Sequence, residues 1–249
     1  IFNQRLEETF SKKLNVNYSI GHVNATAALH TALLSIDIKP DDEVIVPPLT
    51  MSSTSISVLQ ANAIPVYADI DLKTLTICPK SIKKNLTKKT KAIISVAVYG
   101  LPPNYDQILK ICRDNKLFLI EDNAECFLGK YNGKKIGCFG DFSAFSFQAS
   151  KHMTCGNGGM LCCNNIDLAD KARKISNLGY TTVGAKKMLI KKEEIQSPNF
   201  KRHSILGFNY RMSEVNAAVA LAQLERLEEL VFIRKQSANI FLDAINNFE

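Results

Sequence analysis

No apolar run in the 249-residue sequence approaches the roughly 20 residues that a membrane-spanning helix needs, so no such span is expected. Residues 1–10 are amphipathic and charged, unlike the apolar core of a signal peptide. The sequence also lacks a starting Met, and the chain is expected to be a piece of a longer protein. It has no C-x-x-C pair. Its seven cysteines (Cys78, Cys112, Cys126, Cys138, Cys155, Cys162 and Cys163) are odd in number and irregularly spaced, and the adjacent Cys162 and Cys163 suit zinc poorly. They read as reduced thiols of a cytoplasmic protein, most of them small core hydrophobes. There is no internal repeat, no low-complexity segment, and no helix-turn-helix, zinc-finger or aromatic-basic motif for nucleic acid.

What remains is globular in composition: 46% hydrophobic and 22% charged, with a net charge of +7. Much of the positive excess falls in the tract 186–202, where Lys186, Lys187, Lys191, Lys192, Lys201 and Arg202 outnumber Glu193 and Glu194. That tract is either a solvated loop or an attractor of polyanions, a nucleotide diphosphate or nucleic acid.

Short apolar runs alternate with helical patterns. Strands are expected at 42–48, 64–70, 92–99, 117–122, 142–147 and 159–164, several of them apolar nearly throughout, as in parallel strands covered on both faces. Helices are expected at 25–36, 52–62, 103–115, 166–177 and 213–230, the last running on as one helix or breaking once. The alternation implies a doubly wound α/β fold with a mostly parallel mixed sheet flanked by helices. The irregular, polar stretch 178–208 reads as a long exposed loop.

Three segments carry chemistry, each where an α/β sheet places ligands. In LFLIEDNAE a buried strand ends in Glu121 and Asp122, and burying such acids is costly unless they are paired. One of them either caps the following helix, binds a metal or faces a cationic ligand group such as a protonated pyridine. In FSFQASKHMTCGNGGM, Lys151 follows Ser146 by five residues and precedes Gly156, Gly158 and Gly159, which let backbone approach closely. A lysine there is either a surface cation or an amine that condenses with an aldehyde. In HVNATAALHTALL, Asn24, Ala25 and Thr26 open an Ala-rich helix, as an ordinary cap or as an anion site of free amides plus a hydroxyl.

Taken in order, these segments resemble the DegT/StrS group of pyridoxal-phosphate-dependent sugar aminotransferases, within fold-type I. The likeness runs through N-A-T-A-A-L-H at 24–30, D-E-V-I-V-P-P-L-T at 42–50, P-V-Y-A-D-I-D at 65–71, T-K-A-I-I-S-V-A-V-Y-G at 90–100 and I-E-D-N-A-E at 120–125. It continues through G-K-K-I-G-C-F-G-D at 133–141, F-S-F-Q-A-S-K at 145–151, G-N-G-G-M at 156–160 and G-F-N-Y-R-M at 207–212.

The resemblance implies the following roles. Lys151 would form the Schiff base and move the proton between substrate and cofactor carbons. Asp122 would pair with the pyridinium nitrogen. Ala25, Thr26 and Ser146 would hold the phosphate, and Met51 would lie over one ring face. Asn209 would reach the phosphate of a neighbouring subunit, so a homodimer with shared sites is implied, with Tyr210 and Arg211 in the same region. The implied reaction moves an amino group from an amino acid, expected to be glutamate, to the keto group of a nucleotide-diphosphate sugar. The sequence departs from the group where Met51 replaces a common aromatic, Ala25 a common Gly and Glu125 a common Gln. A second carboxylate beside the cofactor's phenolic oxygen would be repelled unless protonated or paired, which leaves the contact of Glu125 open. The resemblance divides the chain into a cofactor-binding domain, 1–212, and a long helix, 213–249, leading toward a small C-terminal domain that is expected to be cut short. The alternatives are a sugar dehydratase or cyclising relative, or a binding protein of the same fold. The group's deoxygenating dehydratases carry His where Lys151 stands, with His152 beside it here, which favours transamination.

Overall fold

The computed structural model describes residues 1–185, 187 and 192–248. Among them the chain runs α1 (Phe2–Leu14), β1 (Tyr18–His22), α2 (Ala25–Ser35), β2 (Glu43–Val46), α3 (Ser52–Gln60), β3 (Ile64–Tyr67), α4 (Pro79–Lys84), β4 (Thr90–Val96), α5 (Tyr105–Asn115), β5 (Phe118–Asp122), β6 (Lys130–Tyr131), β7 (Lys134–Lys135), β8 (Phe142–Ser146), β9 (Gly159–Cys163), α6 (Ile166–Ser176), α7 (Lys192–Gln196), α8 (Glu214–Glu225) and α9 (Leu227–Asn246). The six expected strands are β2, β3, β4, β5, β8 and β9, and the expected helices are α2, α3, α5, α6 and the pair α8–α9, which breaks once at Arg226. Strand β1, helices α1 and α4, and the β6–β7 hairpin across Asn132 and Gly133 were not expected.

The main sheet has seven strands in the order β1-β9-β8-β5-β4-β2-β3. The pairs β2–β3, β2–β4, β4–β5 and β5–β8 are parallel, and β9 runs antiparallel to both β8 and β1. One strand therefore opposes six. The period of two along each strand sends alternate side chains to opposite layers. Val44, Val46, Ile94, Ile120, Phe142, Ala144 and Leu161 pack toward α2, with Ala28, Leu29, Ala32 and Leu33. Ile45, Ile93 and Leu119 face α5, with Ile108 and Ile111. Phe145 and Met160 face α1 and α8, with Leu6, Phe10, Ala217 and Leu221. Covering both faces explains why these strands read as continuous apolar runs.

Strand β1 escapes that signal because it buries polar groups that find hydrogen-bond partners on the elements packed around it. His22 sits fully buried, with Nδ1 on the Ile20 carbonyl (2.9 Å) and Nε2 on Thr31 Oγ1 (3.0 Å), and burial lowers its pKa to about 4. At this edge Arg173 of α6 donates twice to Glu7 of α1 (2.8 and 2.6 Å), and Glu7 also accepts the Gly21 amide (2.7 Å). A bidentate, buried pair of this kind fixes the two helix layers on either side of β1.

None of the seven cysteines is paired; four are buried and three half-buried. In the stretch 178–208, residues 196–199, 201–204 and 206 are exposed, as expected, whereas 178–185 is mostly half-buried or buried, and the stretch carries short bridges such as Tyr180 to His203 and the helix α7. Of the basic tract, 186 and 188–191 lie outside the described residues. No helix among the described residues is long and apolar enough to cross a membrane.

Candidate active site

The carboxyl ends of β1, β2, β4, β5 and β8 lie on one edge of the sheet, and the turns that leave them enclose a cavity of about 680 Å³. After β1 comes the start of α2, after β2 the turn to Met51, after β4 Val98 and Tyr99, after β5 Asp122 to Glu125, and after β8 Ser146 to Lys151. Strand β9, running the other way, begins at this edge with Gly159.

Adjacent carboxylates at the end of β5 part company here. Glu121 shares the face of Leu119 and turns away from the cavity. Its Oε1 accepts the amides of Phe139 and Gly140 (2.8 Å each). Its Oε2 accepts the Gly137 amide (2.8 Å), the Tyr105 hydroxyl (2.9 Å) and Asn123 Nδ2 (3.3 Å). Five donors replace the water that a buried carboxylate loses. Asp122 shares the face of Ile120 and lines the cavity, 3% exposed. Its Oδ2 accepts the hydroxyl of Thr54 (2.8 Å), which is fully buried in α3 and pairs in turn with Thr50 Oγ1 (2.8 Å). Its Oδ1 accepts the Ala124 amide (3.2 Å). Asp122 has no cation at ion-pair distance among the described residues. Burial pushes its pKa above the ordinary carboxyl value, while Thr54, the Ala124 amide and Lys151 pull it down. It is neither a helix cap nor one of a metal cluster, and no group of metal ligands occurs among the described residues.

Lys151, its side chain 16% exposed, places Nζ 3.5 Å from Glu125 Oε1. The other oxygen of Glu125 accepts the Tyr99 amide (3.1 Å). The second carboxylate at the cavity is thus paired within the chain, with the lysine on one side and a backbone donor on the other. Tyr99 is held with φ of 53°, in the left-handed region, and its side chain stands 73% exposed at the cavity mouth. A non-glycine residue there is strained, and the Glu125 contact holds it in place.

The third expected cluster also assembles. Asn24 caps α2, its side chain accepting the Ala27 amide (2.8 Å) and its carbonyl the Ala28 amide (3.2 Å). The amides of Ala25 and Thr26 keep no acceptor among the described residues. Ser146, at the end of β8, lines the same cavity. Gly159 permits this arrangement, because a Cβ at that position would lie 2.6 Å from the Ala25 nitrogen and 2.5 Å from the Asn24 carbonyl carbon. Met51, 61% exposed, lines the cavity at the start of α3.

The last segment does not reach this cavity. Asn209 is exposed and bridges Asn177. Tyr210 bonds His30 Nδ1 through its hydroxyl (3.0 Å), and Arg211 bridges His22. Lys187, Lys192, Lys201 and Arg202 do not line the cavity either. Sequence reasoning missed Thr54, Thr50, Tyr99, Gln148, Ser150 and Asn157, which stand in or beside the cavity wall.

The model of the DegT/DnrJ/EryC1/StrS aminotransferase family matches residues 2–249. The chain belongs to that family. Among the family's curated members it is 36% identical over 244 residues to a GDP-perosamine synthase of Escherichia coli O157:H7, a match that covers 98% of this chain and 63% of the relative. Among solved structures it superposes on an aminotransferase of Psychrobacter cryohalolentis with a TM-score of 0.84 and 33% identity, over 92% of this chain and 57% of that one. It also superposes on an E. coli GDP-4-keto-6-deoxy-D-mannose-3-dehydratase with bound hydrated PLP, with a TM-score of 0.88 and 26% identity, over 100% of this chain and 66% of that one. The chain thus spans about three fifths of the length of the curated relative.

Proposed function

We propose that this chain is the cofactor-binding part of a nucleotide-sugar aminotransferase that works with pyridoxal phosphate. The observation that carries the reading is the convergence on one cavity of the amine of Lys151, the buried carboxyl of Asp122 and the paired free amides of Ala25 and Thr26. This donor set suits the cofactor: an amine for its aldehyde, a carboxyl lacking a cation for its ring nitrogen, and a helix start with the Ser146 hydroxyl for its phosphate. When bound, pyridoxal phosphate supplies an electron-poor ring that makes the carbon next to the substrate nitrogen acidic.

The chain's own groups do the rest. Asp122, fixed by Thr54, would hold the cofactor's ring nitrogen in its protonated form. Lys151 would bind the cofactor's aldehyde and, with its amine released, would serve as the base and acid for the substrate's proton. Glu125 would hold that amine as the counter-charge within reach. Met51, at the mouth, would bound the space for the ring. The donor of the amino group is an amino acid, glutamate in this reading, and the acceptor is the keto group of a sugar linked to a nucleotide diphosphate, as the name of the perosamine synthase relative suggests. A Lys at 151, where dehydratases of the group carry His, favours amino transfer over dehydration. Asn209, outside its own chain's cavity, serves the phosphate of a second copy in a cytoplasmic homodimer. Residues 1–212 form the cofactor domain, and 213–249 lead toward a further domain.

The test is the absorption spectrum of the protein with pyridoxal phosphate, before and after glutamate, beside Lys151→Ala. A visible band that glutamate bleaches and the variant lacks is the expected result. A wild-type protein without that band would overturn the reading.

A further inference from the structure

The loop that carries Lys151 is braced from a part of the chain far away in sequence. Between Phe147 and Gly158 the backbone has few ladder bonds of its own. Cys155 donates to the Phe147 carbonyl (3.0 Å) and Lys151 to the Gln148 carbonyl (3.0 Å). The loop's own side chains add others, such as Thr154 Oγ1 donating to the Phe147 carbonyl (3.2 Å) and Gln148 Oε1 accepting the Ser150 amide (2.8 Å), and three further backbone contacts come from side chains of the C-terminal helices. Asn216 Nδ2 of α8 donates to the Asn157 carbonyl (2.6 Å). Gln223 Oε1 of α8 accepts the Thr154 amide (3.5 Å). Arg234 of α9 donates from Nη2 to the carbonyl of Lys151 itself (3.0 Å). These three residues lie along one face of the α8–α9 pair and meet the loop at its end, middle and start. The Arg234 charge is also felt at the next residue: burial lowers the His152 pKa first, and Arg234 and Lys151 lower it further. His152 packs its ring 5.8 Å from that of Phe127, which itself sits against Phe145 and Phe147 of the core.

We propose that Arg234 is a positioning residue for Lys151: its guanidinium fixes the lysine's carbonyl, and with Gln223 and Asn216 it sets the path of the loop that aims the amine at Glu125 and the cavity. The proposal rests on the reading of Lys151 as the cofactor lysine. Its physical basis is that a lysine's long side chain aims only as well as its own backbone is held, and that misplacement of a reacting amine by about 1 Å lowers rates steeply. Arg234 does not itself line the cavity and meets it only through the backbone of Lys151, so it acts through the loop. It is also exposed, and its replacement leaves the core intact.

The experiment compares wild type, Arg234→Met and Arg234→Lys by amide hydrogen exchange over residues 148–155 and by titration with pyridoxal phosphate, read as the visible band and as borohydride-fixed mass on the Lys151 peptide. Melting temperature is followed in each variant. Met is expected to speed exchange at Lys151, Thr154 and Cys155. It should also weaken cofactor capture roughly three- to tenfold, the range of one hydrogen bond whose charge is screened by solvent, with the melting temperature unchanged. Lys, which still offers a cationic donor to the same carbonyl, is expected to restore both. Exchange or capture in Arg234→Met equal to wild type overturns the proposal. A wild type that captures no cofactor sinks the functional reading instead. The brace is then judged on exchange alone, where unchanged protection in Arg234→Met overturns it.

Discussion

Thr54→Val tests whether a buried hydroxyl sets the state of Asp122. The substitution keeps shape and removes the only side-chain hydrogen-bond donor on that carboxylate among the described residues, at 2.8 Å from Oδ2. Thr54 is fully buried and Asp122 is only 3% exposed, so little water is at hand to replace the lost bond. A hydrogen bond to an ionised group contributes about 1.5–3 kcal/mol, and one to a neutral group about 0.5–1.5 kcal/mol. The pH dependence follows from the direction of the shift. Burial raises the folded pKa of Asp122 above its unfolded value, so the folded chain binds the proton more tightly and ionisation opposes folding. Stability from this group is present at low pH and is lost as pH rises through the folded pKa. Thr54 pulls that pKa down, so its removal raises the pKa further and is felt most where Asp122 is ionised. The expected loss is about 2 kcal/mol where Asp122 is ionised, or about 4–8 °C in melting temperature for a chain of this size, shrinking as the pH falls through the raised folded pKa of Asp122. Urea unfolding at several pH values, with Thr54→Ser as the variant that keeps the hydroxyl, measures it. Valine as stable as serine, or a deficit that does not change with pH, would refute the reasoning.

Glu121→Gln turns an amide toward donors that now meet a carboxylate, and is expected to cost about 3 kcal/mol or more in urea unfolding, because at least one buried N–H loses its acceptor. Asp122→Asn removes a buried charge that lacks a cation, so it should hold or raise the melting temperature at neutral pH while weakening capture of pyridoxal phosphate in a spectral titration. Gly159→Ala forces a Cβ against the first turn of α2. A loss of about 1–3 kcal/mol in thermal melts is expected, together with a larger dissociation constant for pyridoxal phosphate.

The sheet was largely legible because strands covered on both faces carry short, mostly apolar runs, as β2, β4, β5, β8 and β9 do between polar residues such as Glu43, Ser95, Glu121, Asp122 and Ser143. Strand β1 does not, since Ser19, Gly21 and His22 are buried only by virtue of partners on α1, α2, α6 and β9. The break between α8 and α9 was open for a related reason. The apolar period runs on across Arg226, and only the backbone there, at φ of −102° and ψ of 8°, ends one helix and starts the next. Thr54 could not be singled out among Thr50, Ser52, Ser53, Ser55 and Ser57, because hydroxyls one turn apart look alike until a carboxylate is placed against one of them. Arg234 lies 83 residues from the carbonyl it meets, and no local pattern announces such a contact.

The adjacent acids at the end of β5 show where sequence stops and structure begins. Composition alone says that Glu121 and Asp122 are too costly to bury without partners. The period of two says that they must face opposite layers. It does not say which layer holds partners enough to satisfy a carboxylate. The turn 137–140 folds three amides onto Glu121, and Tyr105 closes over it, so that acid is satisfied by the chain itself. Asp122 receives one hydroxyl and one amide, keeps its raised pKa and looks into the cavity. A buried acid left short of a cation is stable only if something outside the chain completes it or if the rest of the fold carries the deficit. The strand end therefore separates an acid satisfied by the wall from an acid turned into the cavity shared with Lys151 and the start of α2, which is the side on which the proposed function would place a protonated ring nitrogen.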